Sequence, residues 1–276
     1  MRERNGTVAM TEFGVRTDKG RVREANEDSY GSEPELNLFV LSDGMGGLDC
    51  GEIASRITVD TIIAHCRMAD DDSTVPLKGS RSNTLSEMSN RLASAVRLAN
   101  AAVQQAALER TIVNGMGATV VAVQFADHGM SVAHVGDSRV YRLRGKKFEQ
   151  LTEDHSFVAD QVRRGNMTDA EASESKMKNV LIRALGVEPE VEVDIKEEPV
   201  MEGDTILLCS DGLTRELSDS QIAAVLRGKS DSQRAADRLV SLANDAGGGD
   251  NITAMVIRPT SKSSSVLERL GRLLKV

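Results

Sequence analysis

Aromatic side chains are scarce in this 276-residue chain: it has no Trp, two Tyr and five Phe. A core must therefore be assembled from Val, Ile, Leu, Met and Ala. Three cysteines, Cys50, Cys66 and Cys209, stand without paired spacing. That excludes a disulfide framework and a cysteine-based zinc site, and it fits a reducing compartment, so a cytoplasmic location is expected. No apolar run approaches membrane-spanning length, and the opening residues MRERNGTVAMTE hold no apolar stretch of signal-peptide size. A membrane is not expected as a partner. The formal net charge of −8 argues against a general nucleic-acid binder. The hydrophobic share, 40%, is that of a soluble protein, and the length allows one large sandwich or barrel with a substantial core.

The most informative stretch is Asn37–Gly47, NLFVLSDGMGG. Leu38-Phe39-Val40-Leu41 predicts a short buried strand that stops at Ser42-Asp43. Leu207-Leu208-Cys209-Ser210-Asp211-Gly212 repeats that design, and Val132–Asp137 is a third apolar strand ending in Asp. Three buried strands would thus each deliver a carboxylate at one end. Such carboxylates repel one another, and a divalent cation relieves the repulsion. Hard cations such as Mg²⁺ or Mn²⁺ suit these oxygen ligands.

Along the rest of the chain, Thr11–Thr17 predicts an edge strand, and Asp18-Lys19-Gly20 a turn. Residues 21–30, RVREANEDSY, read on their own as a solvated charged face. The spacing predicts helices over 51–68 and 84–110, with a loop between them. Strands are expected over 118–126, 131–137, 139–143 and 252–257. The turns at 127–129 and 144–147 argue for antiparallel sheet rather than βαβ units. Short helices are expected over 154–165, from Thr168, over 218–227 and over 231–246, with 166–179 a polar excursion from the core. Gly247-Gly248-Gly249-Asp250-Asn251 is a glycine loop that delivers another Asp.

The order of these pieces resembles the bacterial metal-dependent Ser/Thr protein phosphatases of the protein phosphatase 2C (PPM) family. The matching segments are VREANED (22–28), VLSDGMGG (40–47), GEIAS (51–55), GMGAT (115–119), VGDSRVY (135–141), LTEDHS (151–156), IRALG (182–186), LLCSDGL (207–213) and DNIT (250–253). Each is weak alone; in this order they are specific. The resemblance implies an α+β fold of two antiparallel β-sheets packed as a sandwich, flanked by α-helices on both faces. It implies a catalytic domain over 1–258, followed by a linker and short amphipathic helix over 259–276.

It further implies a phosphoserine/phosphothreonine phosphatase that uses two Mn²⁺ or Mg²⁺ ions, and a third in bacterial members. Asp43 would bridge the two core ions, with Asp211 and Asp250 completing one site. Glu27 and the Gly44 carbonyl would serve the other. Asp28 would orient ligands or waters, and Asp137 with Asp211 would hold the third ion. Two ions about 3.5–4 Å apart lower the pKa of a shared water towards neutrality, and the hydroxide attacks phosphorus in line. Arg23 would hold the phosphate with its planar fork. No protein nucleophile is then needed, so the cysteines read as packing residues. Position 45 is Met, where eukaryotic relatives often have His, which points to a water on the third ion as proton donor. Residues 175–179, SKMKN, depart from the His-Pro-x-Arg-Asn common in bacterial relatives, so Lys176 and Lys178 are expected to shape a substrate flap.

The partners implied are phosphorylated proteins and a cognate Ser/Thr kinase, with a monomer expected. A second reading is a regulatory module of the same fold that binds phosphoproteins without turnover, and a third is a phosphatase for one anti-sigma-type regulator. The complete set Glu27, Asp28, Asp43, Asp137, Asp211 and Asp250 favours an enzyme over the second. An Asp-nucleophile phosphatase is disfavoured, because Asp43-Gly44-Met45 lacks a second Asp two residues on. His65, His128, His134 and His155 are expected to pack, cap or line rather than catalyse. In the tail, Val266, Leu267, Leu270, Leu273 and Leu274 share one helical face. Deletion of residues 262–276 is expected to leave turnover of a small phosphate ester intact; loss of that turnover would make the tail part of the core.

Overall fold

The computed structural model of the chain describes residues 11–46, 50–109, 115–126, 129–228 and 230–259. The expected helical tail, the turn at 127–128, His128 and Gly47 lie outside them. Strand β3 (Leu38–Gly46) shows how the layers arise. Successive side chains on a strand point to opposite faces, and Leu38, Phe39, Val40 and Leu41 are all buried. Both faces must therefore be covered. Leu38 and Val40 pack with Val59, Ile62, Leu92 and Val96 of helices α1 (Cys50–Asp71) and α2 (Glu87–Glu109). Phe39 and Leu41 pack with Ile206, Leu208, Met255 and Ile257, which belong to the other sheet.

That sheet has the order β1 (Glu12–Asp18), β11 (Ile252–Arg258), β10 (Thr205–Cys209), β7 (Arg139–Arg144) and β8 (Lys147–Gln150). The first sheet runs β2 (Asp28–Glu33), β3, β5 (Val120–Ala126), β6 (Gly129–Val135) and β9 (Asp194–Pro199), with β4 (Met116–Ala118) paired to the far end of β3. Every strand pairing in both sheets is antiparallel. On β10, Leu207 and Cys209 turn away from the partner sheet. They join the cluster of helices α5 (Asp211–Glu216), α6 (Asp219–Leu226) and α7 (Ser232–Ala246). The result is the expected helix–sheet–sheet–helix sandwich, an α+β fold.

The departures from expectation have local causes. The second long helix begins at Glu87 rather than Thr84, because the Ser86 hydroxyl accepts from the Ser89 N–H at 3.2 Å and starts the first turn. Residues 28–30 lie in β2, where the pairing of Asp28 with Asp43 puts two acids side by side. Strand β9, DIKEEP, was not anticipated. It is a polar sheet edge ending in Pro, without an apolar alternation to reveal it. Helix α5 was also not anticipated, so Asp211 opens a helix rather than closing a strand.

Helices α3 (Phe157–Arg163) and α4 (Asp169–Glu174) form an excursion pinched at its base. There Phe157 N–H donates to the Val180 carbonyl at 2.7 Å, and Ile182 N–H donates to that of His155 at 2.9 Å. Thr168 and Glu171 close a capping box on α4, as the sequence around Thr168 predicts. No described helix is long and apolar enough to cross a membrane.

Phe39 is the largest contribution of β3 to the inter-sheet layer, in edge-to-face contact with Phe13 and Phe125. With so few aromatics to compensate, Phe39→Ala is expected to cost about 3–5 kcal/mol of stability. Urea unfolding followed by circular dichroism measures it, and a loss under about 1 kcal/mol would show that the layer collapses around the cavity.

Candidate functional site

The two Ser-Asp-Gly strands lie in different sheets, and their acidic ends meet at one edge of the sandwich. Asp43 is held by a short polar chain. Its N–H donates to Thr119 Oγ1 at 3.1 Å, and its carbonyl accepts from Thr119 N–H at 2.8 Å. Thr119 Oγ1 in turn shares a 2.7 Å hydrogen bond with Ser138 Oγ. Ser138 follows Asp137 on the turn after β6. Gly136, at φ +106°, makes that turn, and a Cβ there would lie 2.6 Å from the Thr119 Cβ. Asp137 is thereby brought beside Asp43.

Asp28 ties the two sheets together. Its Oδ2 accepts from Ser210 Oγ at 2.8 Å and from Thr253 Oγ1 at 2.6 Å, both from the opposite sheet. Asn251 makes a second tie. Its Oδ1 accepts from Glu27 N–H at 2.7 Å, while its Nδ2 donates to the carbonyls of Ala25 and Lys19. Glu27 is placed against the first turn of α1, where a Cβ on Gly51 would lie 2.5 Å from the Glu27 Cδ. Gly44 fits the same crevice, its N–H donating to the Glu27 carbonyl at 3.1 Å. Asp250 reaches the centre from the glycine loop. Arg23 Nη2 contacts its Oδ2 at 2.9 Å.

These side chains make an anionic centre. Burial, then the charges of Asp28, Asp211, Asp137 and Asp250, hold the Asp43 carboxyl well above the ordinary carboxylate range. Burial, with Asp137 next, does the same for Asp211. Asp137 is also raised, chiefly by burial and then by Asp154. Asp28 is pushed up to about 6 by burial, against the two hydroxyl donors that lower it. Asp28 Oδ1 and Asp211 Oδ1 are buried with no hydrogen-bond partner among the described residues. Orphaned anionic oxygens of this kind are costly. An all-oxygen set is what hard divalent ions prefer, so the residues fit such ions.

The structure brings Arg23, Glu27, Asp28, Asp43, Gly44, Asp137, Asp211 and Asp250 to this edge. Lys178 lines a 680 Å³ cavity that opens beside Asp137 and Asp211. Lys176 is exposed and outside that lining. Sequence reasoning missed Arg215, which pairs with Asp211 one helical turn away and contacts Asp250 Oδ2 at 2.7 Å. Its i, i+4 spacing from Asp211 was a usable signal only once α5 is known to be a helix. It also did not assign roles to Thr119, Ser210, Asn251 and Thr253, which fix the acids without carrying charge.

Among the described residues, His134, His155 and Asp194 form a second cluster of metal-ligating types, their ligand atoms within 4.8 Å of one another. The rings stack at 4.6 Å. Gly136 N–H donates to His155 Nδ1 at 3.1 Å, and His155 Nε2 lies between Arg183 Nη1, at 3.0 Å, and Asp194, whose carboxylate Arg183 already holds. His134 Nε2 meets the Glu153 carbonyl at 2.8 Å. With both ring nitrogens of His155 and Nε2 of His134 engaged and a guanidinium inside, this is a hydrogen-bonded clamp at the base of the α3–α4 excursion. His155 therefore caps no helix; Ser156 caps α3.

A family model for protein phosphatase 2C matches residues 19–252. The chain is 37% identical over 248 residues to a serine/threonine phosphatase, stp, of Listeria innocua, covering 88% of this chain and 93% of that protein. It is 35% identical over 244 residues to the serine/threonine protein phosphatase PstP of Mycobacterium tuberculosis, covering 88% of this chain and 44% of PstP. The crystal structure of the M. tuberculosis phosphatase superposes with a TM-score of 0.78 at 35% identity, covering 90% of this chain and 98% of that one. A PstP catalytic domain in complex with two manganese ions superposes at 0.73 and 35% identity, covering 90% and 97%.

Raised carboxyl pKa values make stability depend on pH. The folded state binds these protons more tightly than the unfolded chain, so metal-free protein loses stability as pH rises through about 6 for Asp28, and the raised Asp43 and Asp211 carboxyls act in the same direction. Burial lowers His134 and takes His155 down to about 4, so their contribution is lost as pH falls towards that value. That loss affects loaded and metal-free protein alike. The Tm difference between Mn²⁺-loaded and EDTA-treated protein is therefore expected to be larger at about pH 7.5 than at about pH 5.5. A difference independent of pH would mean that ions do not bind these carboxyls.

Proposed function

The chain belongs to the protein phosphatase 2C family, and on that premise we propose how its own residues divide the work of hydrolysing phosphate monoesters. It is a metal-dependent protein-serine/threonine phosphatase, a hydrolase that takes phosphorylated proteins as substrates. The observation that carries the mechanistic reading is the convergence of buried carboxylates from both sheets, with two of their oxygens orphaned among the described residues.

We assign Asp43, Asp211 and Asp250 to one divalent ion, and Asp43 with Glu27 and the Gly44 carbonyl to a second. A third falls to Asp137 with Asp211. Mn²⁺ is favoured over Mg²⁺ by the two manganese ions of the PstP complex. Ions held there supply an acidic water and positive charge for the phosphoryl oxygens. Asp28, anchored by Ser210 and Thr253, orients what lies between the sheets. Arg23 is half exposed at the mouth of the site and presents a fork suited to two phosphate oxygens. Arg215 adds a second guanidinium at the same Asp250 oxygen and offsets charge where the phosphate arrives.

The cysteines are ruled out as nucleophiles where their environment is informative. Burial pushes the thiols of Cys66 and Cys209 up to about 12, so neither is a thiolate near neutral pH. Lys178, at the rim of the cavity, is placed to meet an acidic group on the substrate. In the cell we place the protein as a cytoplasmic monomer that reverses a cognate Ser/Thr kinase.

Hydrolysis of p-nitrophenyl phosphate and of a phosphothreonine peptide tests the reading. Turnover with Mn²⁺ is expected, and EDTA or Asp211→Asn is expected to reduce it at least about 100-fold, the scale on which loss of a metal-site group acts. Activity unchanged in EDTA would overturn it. Arg23→Ala is expected to raise KM about tenfold or more with a smaller change in kcat, since it removes one charge-assisted pair to the phosphate. An unchanged KM would remove Arg23 from the phosphate site.

A further inference from the structure

The cavity beside Asp137 and Asp211 is much larger than a phosphate monoester requires. At 680 Å³, it holds the volume of roughly twenty waters at about 30 Å³ each. The metal centre forms only one end of it. The remainder lies between the core and the α3–α4 excursion.

The wall on the excursion side carries an apolar strip, with Asp169, Ser173, Lys178 and Asn179 around it. Val158 and Val162 sit one turn apart on α3, and Ala172 of α4 stands beside them. Away from Asp137 and Asp211 the core side is polar, and its Arg139, Asp154 and Gln150 are engaged with one another. Arg139 grips Asp154 with two hydrogen bonds, Nε–Oδ1 at 2.9 Å and Nη2–Oδ2 at 2.7 Å. Gln150 Nε2 donates to the same carboxylate and to the Thr152 carbonyl. Arg163, at the edge, is held by Asp160 at 2.8 Å. A polar side chain laid against that strip would lose its water and gain no hydrogen bond from Val158, Val162 or Ala172 in return. An apolar one would lose nothing and cover Val158 and Val162.

The occupant must also lie next to the reacting phosphate, because the cavity shares Asp137 and Asp211 with the catalytic centre. The molecule that puts an apolar group there during each turnover is the substrate polypeptide itself. We infer that the cavity is a subsite for an aliphatic or aromatic side chain close in sequence to the phosphorylated Ser or Thr, with Val158, Val162 and Ala172 setting that preference. The inference rests on the phosphatase reading above. It selects substrates by a hydrophobic neighbour, whereas the lysines of the excursion act on charge.

The experiment walks one leucine through the positions on either side of phosphothreonine in a peptide that is otherwise alanine around it. The kcat/KM of each peptide is compared with that of the all-alanine peptide. One position is expected to give an advantage of about tenfold, the scale on which hydrophobic subsites discriminate. Val162→Asp, which puts a charge on the half-buried wall, and Ala172→Phe, which fills the space, are each expected to bring that ratio close to one. The ratio is read within each enzyme, so a variant that had merely lost activity or stability would keep it. A flat leucine series with unmodified enzyme that hydrolyses p-nitrophenyl phosphate would overturn the subsite alone. So would an advantage that persists in both variants. Failure to hydrolyse p-nitrophenyl phosphate with Mn²⁺ would overturn the phosphatase reading, and the subsite with it.

Discussion

Like charges gathered out of water govern this molecule. Asp28, Asp137 and Asp211 are buried at one edge of the sandwich with Asp43 half-buried among them, and each carboxyl is raised by desolvation and, for the most part, by its acidic neighbours. A sandwich closed by hydrophobic burial alone would not put them there. Protons or cations between the sheets would relieve that repulsion, and hydroxyl and amide donors of the neighbouring segments hold the acids in place. Arg23 and Arg215 both reach one oxygen of Asp250, so part of the compensating charge comes from the chain. The orphaned oxygens of Asp28 and Asp211 mark where it does not.

The two Ser-Asp-Gly strands solve the same problem twice. In β3, Ser42 Oγ donates to the Thr119 carbonyl, and Thr119 clamps the Asp43 backbone. Before α5, Ser210 Oγ accepts from Thr253 N–H and Ser210 N–H donates to the Thr253 carbonyl. Each acid therefore follows a buried serine locked to a threonine of a neighbouring segment, Thr119 between β4 and β5 and Thr253 on β11. The inter-sheet hydrogen bonds to Asp28 then set the two halves against each other. Metal geometry here depends on sheet-to-sheet registration, and that registration depends in turn on the Phe39–Leu208–Met255 layer beneath.

The apolar strands and long helices were legible because their period is written in residue type. Leu38–Leu41 and Thr205–Cys209 face apolar surroundings on both sides, and no other arrangement buries them. Asp43, Asp137 and Asp211 were legible for the same reason, as the point where such a strand stops being apolar. Glu27, Asp28 and Arg23 were not. In RVREANEDSY a charged stretch looks solvated, and only the order of motifs along the whole chain singled them out. β9 and α5 were invisible because the first carries no apolar face of its own and the second is six residues long. Arg215 was lost along with α5. The polar residues that orient the acids carry no charge pattern, so their partners become visible only when distant segments meet.

The clamp of His134, His155, Arg183 and Asp194 links these two levels of organisation. His155 hydrogen-bonds Gly136 through both its ring and its backbone, one residue from Asp137. Its carbonyl also closes the base of the excursion by accepting from Ile182. The α3–α4 wall and the acid-bearing turn after β6 are thus anchored on the same residue, against the same strands. A short excursion with few buried apolar contacts would ordinarily sample many positions relative to the core. Fixing its base beside Asp137 ties the position of α3 to that of the reacting centre. That is the condition under which a pocket wall can select one residue of a peptide while the centre acts on another.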